Sequence, residues 1–460
     1  MKTATETHNP PPISARIWAI AAITGAGAFM AMLDSTIVNL AVDAIRIDFQ
    51  ADLNLIQWTV SAYLIALAVS LPAASWLCDR FGHGRAWMGS TALFVLGSAL
   101  CALASGPLAL ITARIIQGLA GGILIPSGQA LIGVVAGSRQ LGRLFGVIGL
   151  VVALGPAIGP AIGGLLLESA GWRSLFWINV PIGATALIAA YKLVPKGDLD
   201  NSRSLDVTGL ILLGTGLSLL LLGSAQIGVA GISIPSLAVV IAGTVFSVAF
   251  VFVSRHRSNP LLDLALFKRR TFSAAAAVNI LTGANMYGGL FLLPLYFQIS
   301  QGTTATETGL LLFIMGLGSA ISLFFAGRIT DRYGAALAIN IGALLLVLSL
   351  LPFVFRDKLS PLIVLIALIG RGAGLAFAQM PAMTAAYSSV ASEKMSGTAT
   401  LINVVQRLGA SIGAIGASLL LMQFGLDDKG FRWAFGALMI LSILMLIYAA
   451  KFPRQSNAAG

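Results

Sequence analysis

The chain has 460 residues, of which 57% are hydrophobic and only 10% are charged. Such a composition excludes a soluble globular domain and predicts a polytopic helical membrane protein. The formal net charge of +11 does not indicate nucleic-acid binding, because no basic segment carries an aromatic-interleaved or groove-reading motif.

Apolar windows of about 20 residues predict fourteen transmembrane helices. They cover residues 17–40, 54–77, 86–104, 108–132, 144–167, 173–194, 207–225, 233–253, 273–298, 307–327, 335–354, 361–385, 397–421 and 432–450. The amino-terminal tail lacks the apolar core and the cleavage site of a signal peptide, so we expect the first span to stay in the mature protein.

The basic residues are distributed unequally between the two sides of this topology. Of 28 Lys and Arg residues, 19 fall on the side that carries both termini, 6 fall on the opposite side and 3 lie within spans. The positive-inside rule therefore predicts that both termini are cytoplasmic. We expect the basic segments to contact lipid headgroups.

The first span contains Asp34, the only acidic side chain deep inside any predicted span. An ionised carboxylate at that depth must be hydrated, paired or neutralised by a proton. Asp34 is therefore a candidate proton or cation site. A salt bridge that serves folding alone is the alternative, but an isolated buried pair stabilises a protein poorly because desolvation offsets much of the attraction.

Three arginines also lie within predicted spans: Arg114, Arg371 and Arg407. A charged side chain at that depth must face the bundle interior or a watery cavity. Each of them either binds backbone carbonyls in a structural role or faces the transport pathway.

The chain contains an internal repeat. The dipeptide Asp79-Arg80 after span 2 is echoed 252 residues later by Asp331-Arg332, and the arginines of spans 4 and 12 repeat at an offset of 257. This predicts an all-α fold of two six-helix halves with two inserted helices. The predicted units are a tail at 1–16, a first half at 17–194, a linker at 195–206, the inserted helices at 207–253, a basic amphipathic linker at 254–272, a second half at 273–450 and a tail at 451–460.

Span 5 carries a glycine at every fourth position. Gly155, Gly159 and Gly163 line one helix face, where another backbone can approach closely. Pro156 and Pro160 remove backbone donors and permit a bend. Simple helix packing and a face that hinges during transport both fit this pattern.

Five motifs, in order along the chain, resemble those of the major facilitator superfamily, and specifically its fourteen-helix drug:proton antiporter branch. They lie at residues 33–39, 79–85, 113–118, 155–164 and 172–183. The loop motif departs from the family pattern at Ser75, where a glycine is usual. The resemblance covers nearly the whole chain and implies a major facilitator fold with fourteen transmembrane helices in a bacterial inner membrane.

The resemblance also implies two sets of functional residues. Proton coupling is assigned to Asp34 and Arg114, with the arginine lowering the proton affinity of a nearby carboxylate in one conformation. The conformational motifs are Asp79, Arg80, Gly82, Arg85, Gly155, Pro156, Gly159, Pro160, Gly163, Gly164, Asp331 and Arg332. Residue type, rather than the resemblance alone, predicts a cargo surface, although packing and interface anchoring also fit its aromatic members. This surface consists of Asp34, Trp58, Tyr63, Asn179, Asn285, Tyr287, Phe291 and Arg407. Aromatic side chains beside one carboxylate suit a lipophilic cation.

The sequence carries no enzyme constellation. His8, His83 and His256 lie in tails or loops without metal-site spacing, and no Walker-type phosphate loop is present. Cys78 and Cys101 fall at opposite membrane faces, which makes a disulfide between them implausible. We therefore expect no enzymatic activity, no cofactor and no metal, with an ion gradient as the energy source.

These observations predict a proton-driven exporter of lipophilic, cationic drugs or biocides, with Asp34 as the site where proton and cargo compete. An exporter of a specific metabolite, siderophore or anionic compound is the alternative within transport, since the spans contain three arginines and one acid. A non-transporting membrane sensor is the alternative from another class. We expect a monomer, and the sequence leaves open whether a periplasmic adaptor takes part.

Overall fold

The computed structural model describes residues 13–136, 140–200, 204–231, 233–257, 259–355 and 359–452, apart from the side chains of residues 152–157, 160–161, 228–230 and 305. The regular structure in these ranges is helical. The first nine α-helices are α1 (Ala15–Ile37), α2 (Val42–Phe49), α3 (Leu53–Ser70), α4 (Ala73–Phe81), α5 (His83–Ala102), α6 (Pro107–Ala136), α7 (Leu141–Ala170), α8 (Ser174–Trp177) and α9 (Asn179–Leu193). The other eight are α10 (Val207–Ala230), α11 (Ile234–Arg255), α12 (Arg270–Leu295), α13 (Ala305–Tyr333), α14 (Ala335–Phe355), α15 (Pro361–Ser388), α16 (Met395–Phe424) and α17 (Asp428–Ala449).

Twelve helical segments in the described part of the chain are long and apolar enough to cross a membrane. They are Ala15–Phe49, Leu53–Ser70, Pro107–Ala136, Ser174–Leu193, Val207–Ile227, Ile234–Arg255, Arg270–Ser300, Thr306–Tyr333, Ala335–Phe355, Pro361–Ser388, Ser392–Phe424 and Asp428–Ala449. The predicted count of fourteen is therefore not confirmed. The two further predicted spans, near 86–104 and 144–167, are helical as α5 and α7 but are not among the twelve.

Local sequence sets many of the helix ends. Thr304 and Glu307 form a capping box at the start of α13, in which each side chain accepts a hydrogen bond from a free backbone N–H. Helices α4 and α13 both end at a glycine with positive φ, 84° at Gly82 and 87° at Gly334. Only glycine adopts this backbone conformation without strain. The internal repeat is thus visible as the same turn after each Asp-Arg dipeptide.

The helices pack as two groups with a pair between them. In the first half, α1 packs against α6, α7 and α9, and in the second half, α12 packs against α15, α16 and α17. The inserted helices α10 and α11 pack on each other, and α10 also contacts α3 and α16. The two halves meet where α7 packs against α13.

Contacts between loops define two faces of the bundle. On the first, Arg85 NH1 donates to the Gly197 carbonyl at 2.6 Å, and Arg269 NH1 donates to the Ser389 carbonyl at 2.6 Å. We call this the basic face. On the opposite face, Arg173 NH1 donates to Asp48 Oδ2 at 2.9 Å.

The hydrophobic cores differ between the two faces. The core nearest the basic face joins the halves, and in it the rings of Phe145 and Tyr387 lie 5.0 Å apart. Towards the opposite face there are separate cores, one around Trp172 in the first half and one around Tyr296 in the second. Among the described side chains, the hydrophobic core that contains residues of both halves therefore lies nearest the basic face.

Candidate functional site

Asp34 lies on α1 inside the first half and is fully buried. Its Oδ2 accepts a hydrogen bond from Arg114 NH1 at 2.6 Å, and its Oδ1 accepts from Gln117 Nε2 at 2.9 Å and from Asn179 Nδ2 at 3.1 Å. The carboxylate is therefore paired with one cation and two amides from α6 and α9. Such charge-assisted hydrogen bonds are stronger than those between neutral groups.

Arg114 is as deeply buried as its partner, with 1% of its side chain exposed. Besides Asp34, it donates from Nε to the Thr59 carbonyl at 2.9 Å and from NH1 to Gln117 Oε1 at 2.7 Å. Its guanidinium also lies 4.0 Å from the ring centroid of Tyr63. Protein groups therefore surround the Asp34–Arg114 pair and keep it from solvent. The pair is electrically neutral as long as Asp34 is ionised.

Ser98 on α5 extends the network to a fifth helix. Its hydroxyl accepts from Gln117 Nε2 at 3.2 Å and from Asn179 Nδ2 at 3.0 Å, and donates to the Phe176 carbonyl at 2.9 Å. Sequence reasoning missed both Gln117 and Ser98. Gln117 carried a usable signal, because it follows Arg114 by three residues and so lies on the same helix face.

The predicted cargo residues do not form one cluster. Tyr63 and Asn179 are buried beside Asp34, where Tyr63 donates to the Ala31 carbonyl at 3.4 Å. Asn285 is buried in the second half, and its Nδ2 donates to the Leu438 carbonyl and to Ser442 Oγ, each at 2.8 Å.

The other predicted cargo residues are more accessible. Trp58 is 51% exposed, and Tyr287, Phe291 and Arg407 are partly buried. For Arg407 the described part of the chain records no hydrogen bond or ion pair. Arg407 acts electrostatically on Tyr63, which places it near the first half although it belongs to α16.

The loop motif and its echo join the two halves at the basic face. Asp331 Oδ2 accepts from the backbone N–H of Arg143 at 3.0 Å and from its Nε at 3.2 Å, and the Asp331 side chain is only 5% exposed. Asp79 accepts a hydrogen bond from Ser396 Oγ. Each acid of the repeat therefore binds a residue of the other half.

The remaining members of the loop motif hold the linker after α9. A Cβ at Gly82 would lie 2.5 Å from the Lys196 carbonyl oxygen, so a larger residue would displace the linker. The guanidinium of Arg80 lies 5.7 Å from the Trp76 ring. Arg332, in the echo, is exposed and lies 5.2 Å from the ring of Tyr333.

The glycine face of α7 packs against the helix that carries Asp34. A Cβ at Gly159 would lie 2.8 Å from Thr36 Oγ1, and one at Gly163 would lie 2.5 Å from Ile37 Cγ1, whereas one at Gly164 would meet nothing within 4 Å. The close helix packing predicted for this face is therefore present at two of its positions. Gly155, Pro156 and Pro160 belong to α7, but their surroundings lie outside the described residues.

The linker after α11 is attached to the second half. Lys394 Nζ donates to Asp263 Oδ2 at 2.7 Å. Partial burial acts to raise the pKa of Asp263, but the hydrogen bond and charge of Lys394 outweigh it and lower that pKa. The ion pair therefore contributes stability above the ordinary pKa of an aspartate, and the contribution is lost as the pH falls through the lowered value.

Three comparisons relate this chain to known proteins. A family model described as Major Facilitator Superfamily matches residues 24–267 and 275–459. The chain is 34% identical over 408 residues to the Multidrug resistance protein B homolog of Mycobacterium tuberculosis, over 86% of this chain and 74% of that protein. It is 31% identical over 394 residues to the Multidrug resistance protein Stp of the same species, over 85% and 73%. Its fold matches that of the proton:xylose symporter XylE with a TM-score of 0.68 at 16% identity, over 96% of this chain and 97% of that one.

Proposed function

Since this chain belongs to the Major Facilitator Superfamily, we propose that it is a proton-coupled antiporter that exports lipophilic drugs or biocides across the inner membrane by alternating access. The multidrug resistance names of two relatives support export of small molecules. The observation that carries proton coupling is the buried Asp34–Arg114 pair, with Nη1 and Oδ2 separated by 2.6 Å.

The pair supplies a mechanism for coupling because its stability depends on the charge of Asp34. Protonation of the carboxylate leaves a fully buried guanidinium without its counter-charge, at a cost of about 3–5 kcal/mol. Protonation of Asp34 then favours a second conformation, in which Arg114 donates hydrogen bonds to water or to another acceptor. One proton moving down about 100 mV supplies about 2.3 kcal/mol before any pH term, which is roughly half to three-quarters of this cost.

Alternating access fits the difference between the two faces. The halves share a hydrophobic core and the Asp331–Arg143 contact at the basic face, whereas the cores nearest the opposite face stay within single halves. We propose that the basic face is cytoplasmic and that this conformation is the one open to the outside. Breaking the contacts of Asp79 and Asp331 then accompanies opening towards the cytoplasm.

The full topology belongs to the same proposal. We propose that α5 and α7 also cross the membrane, because they are 20 and 30 residues long and pack between helices that span it. With α5 and α7 included, the protein has fourteen spans, arranged as two six-helix halves with α10 and α11 inserted between them. We also propose that it acts as a monomer. Gly159 and Gly163 then allow α7 to move against α1 during transport.

The cargo is proposed to be a lipophilic cation that competes with a proton for Asp34. This requires a conformation in which Arg114 releases the carboxylate, because a paired Asp34 offers no net negative charge. Trp58 then supplies an accessible aromatic surface for such a cargo. Binding of the cation should weaken as the pH falls, since the proton and the cation compete.

An anionic cargo is a second candidate, favoured by Arg407. This side chain is partly exposed and has no recorded ion pair in the described residues, so it provides a positive charge where the halves face each other. An anion held by Arg407 should bind no more weakly at low pH, because arginine stays protonated.

Binding measured against pH for matched cationic and anionic lipophilic compounds tests the proposal. Cation binding that weakens at low pH and is lost in Asp34→Asn supports it. Tighter anion binding that persists in Asp34→Asn and is lost in Arg407→Gln supports the second candidate. Counterflow in proteoliposomes separates both from a sensor that transports nothing.

A further inference from the structure

Arg371, on α15, is fully buried without a counter-charge. Its NH2 donates to the Asn285 carbonyl at 2.6 Å, while its Nε and NH1 are buried and have no hydrogen-bond partner. No ion pair to Arg371 is recorded within the described ranges. The side chain is 0% exposed, so bulk water does not solvate its charge.

Comparison with Arg114, the equivalent arginine of the first half, shows that Arg371 lacks a carboxylate partner in the described residues. Arg114 precedes Arg371 by 257 residues and is paired with Asp34, whereas the residue 251 positions after Asp34 is the neutral Asn285. The amide nitrogen of Asn285 is bound to Leu438 and Ser442. The second half therefore keeps the arginine of the repeat and lacks its acid.

A buried charge without compensation is costly, and arginine cannot lose its proton at physiological pH. We propose that a small monovalent anion of halide size balances this charge by binding Nη1 of Arg371 in the core of the second half.

The surroundings of Arg371 limit the size of this ligand. A Cβ at Gly289 would lie 2.1 Å from Arg371 NH2, so the guanidinium is in close contact with the backbone of α12. The recorded neighbours of Arg371 and Asn285 belong to α12, α15 and α17 of the second half. The anion is therefore a resident ligand that stabilises this half, and it is distinct from a cargo held between the halves.

Thermal unfolding in the presence of different anions tests the proposal. The purified protein is heated in gluconate and in increasing chloride or bromide at constant ionic strength, and helix loss is followed by circular dichroism. A ligand that binds only the folded state raises Tm with its concentration. We expect chloride and bromide to raise Tm by at least about 2 °C and the effect to saturate.

Three variants assign the effect to the site. Arg371→Gln should abolish the halide response. Asn285→Asp should also abolish it, because it adds a carboxylate on the residue whose backbone carbonyl binds Arg371 and so supplies a counter-charge from the chain itself. The second variant keeps the test decisive where Arg371→Gln does not fold. Arg46→Gln is the matched control, because it removes an arginine that is 41% exposed and already paired with Asp43, and it should keep the response.

Two results would overturn the proposal. One is a wild-type Tm that is the same in gluconate and in halide. The other is a halide response that survives in Asn285→Asp and in any folded Arg371→Gln. Crystals grown in bromide give a direct check, since anomalous scattering should place bromide against Arg371, and a map without it there contradicts the assignment.

Discussion

Replacement of Asp34 by Asn should both destabilise the protein and uncouple it from protons. The substitution keeps the shape of the side chain but removes the charge that balances Arg114, whose side chain is 1% exposed. Breaking a buried pair by removing one partner costs about 3–5 kcal/mol. At about 2 °C per kcal/mol for a large chain, Tm should fall by about 6–10 °C.

A double variant separates the cost of the lone charge from other effects. Asp34→Asn/Arg114→Gln removes both charges, so the double variant should recover part of the stability that either single variant loses. We expect a coupling energy of about 2–3 kcal/mol between the two positions. The two variants that carry Asp34→Asn should lose proton-driven efflux, because an amide cannot exchange a proton near neutral pH.

The assay is thermal unfolding in one detergent at fixed pH, with efflux measured on the same preparations. Asp43→Asn is the matched control, because Asp43 pairs with Arg46 at 2.9 Å but its side chain is 73% exposed, and exposed pairs contribute little. If the losses of the two single variants simply add in the double variant, Asp34 and Arg114 are not a coupled pair. Wild-type efflux by Asp34→Asn against a gradient would refute the coupling role.

Three further predictions concern conformation and topology. Asp331→Asn and Asp79→Asn should shift the population away from the form closed at the basic face by about 1–3 kcal/mol. Spin-label distances between the halves measure this shift. Unchanged distance distributions in both variants would show that these two residues do not stabilise the closed form. Gly142→Ala should disfavour the same closure, because its Cβ would lie 2.0 Å from Asp331 Oδ1, whereas Gly164→Ala on the same helix meets nothing within 4 Å and should keep the wild-type distances. A cysteine at position 200, in a chain without Cys78 and Cys101, should be protected from impermeant reagents in intact cells, and external labelling there would reverse the proposed orientation.

Much of the fold could be predicted because it depends on local signals. Long apolar segments must form helices in a membrane, where every backbone group needs an internal partner. The Asp-Arg repeat identified two related halves, and the glycine turns at Gly82 and Gly334 have the same backbone conformation. The span count was harder to establish, because apolar windows predict fourteen spans, whereas twelve segments of the described residues meet the length and composition of a spanning helix and α5 and α7 are not among them.

The candidate site was predicted only in part because its contacts are long-range. Asp34 and Arg114 were identified separately by the cost of charge at depth, but their pairing joins residues 80 positions apart. The spacing of Gln117 from Arg114 was a usable signal for one further member of the network, but no sequence pattern indicated Ser98. Nor did the polar character of Asn285 reveal whether it faces a cavity or, as found, a neighbouring helix at Leu438.

The two halves use the repeated arginine in different ways, and this bears on how transport works. Arg114 has a partner that can take up a proton, so its charge balance changes with protonation, whereas Arg371 faces the non-titrating Asn285. Under the proposed mechanism, coupling to protons belongs to the first half. The buried charge of Arg371 stays constant, so protonation of Asp34 changes the buried charge balance of the first half only.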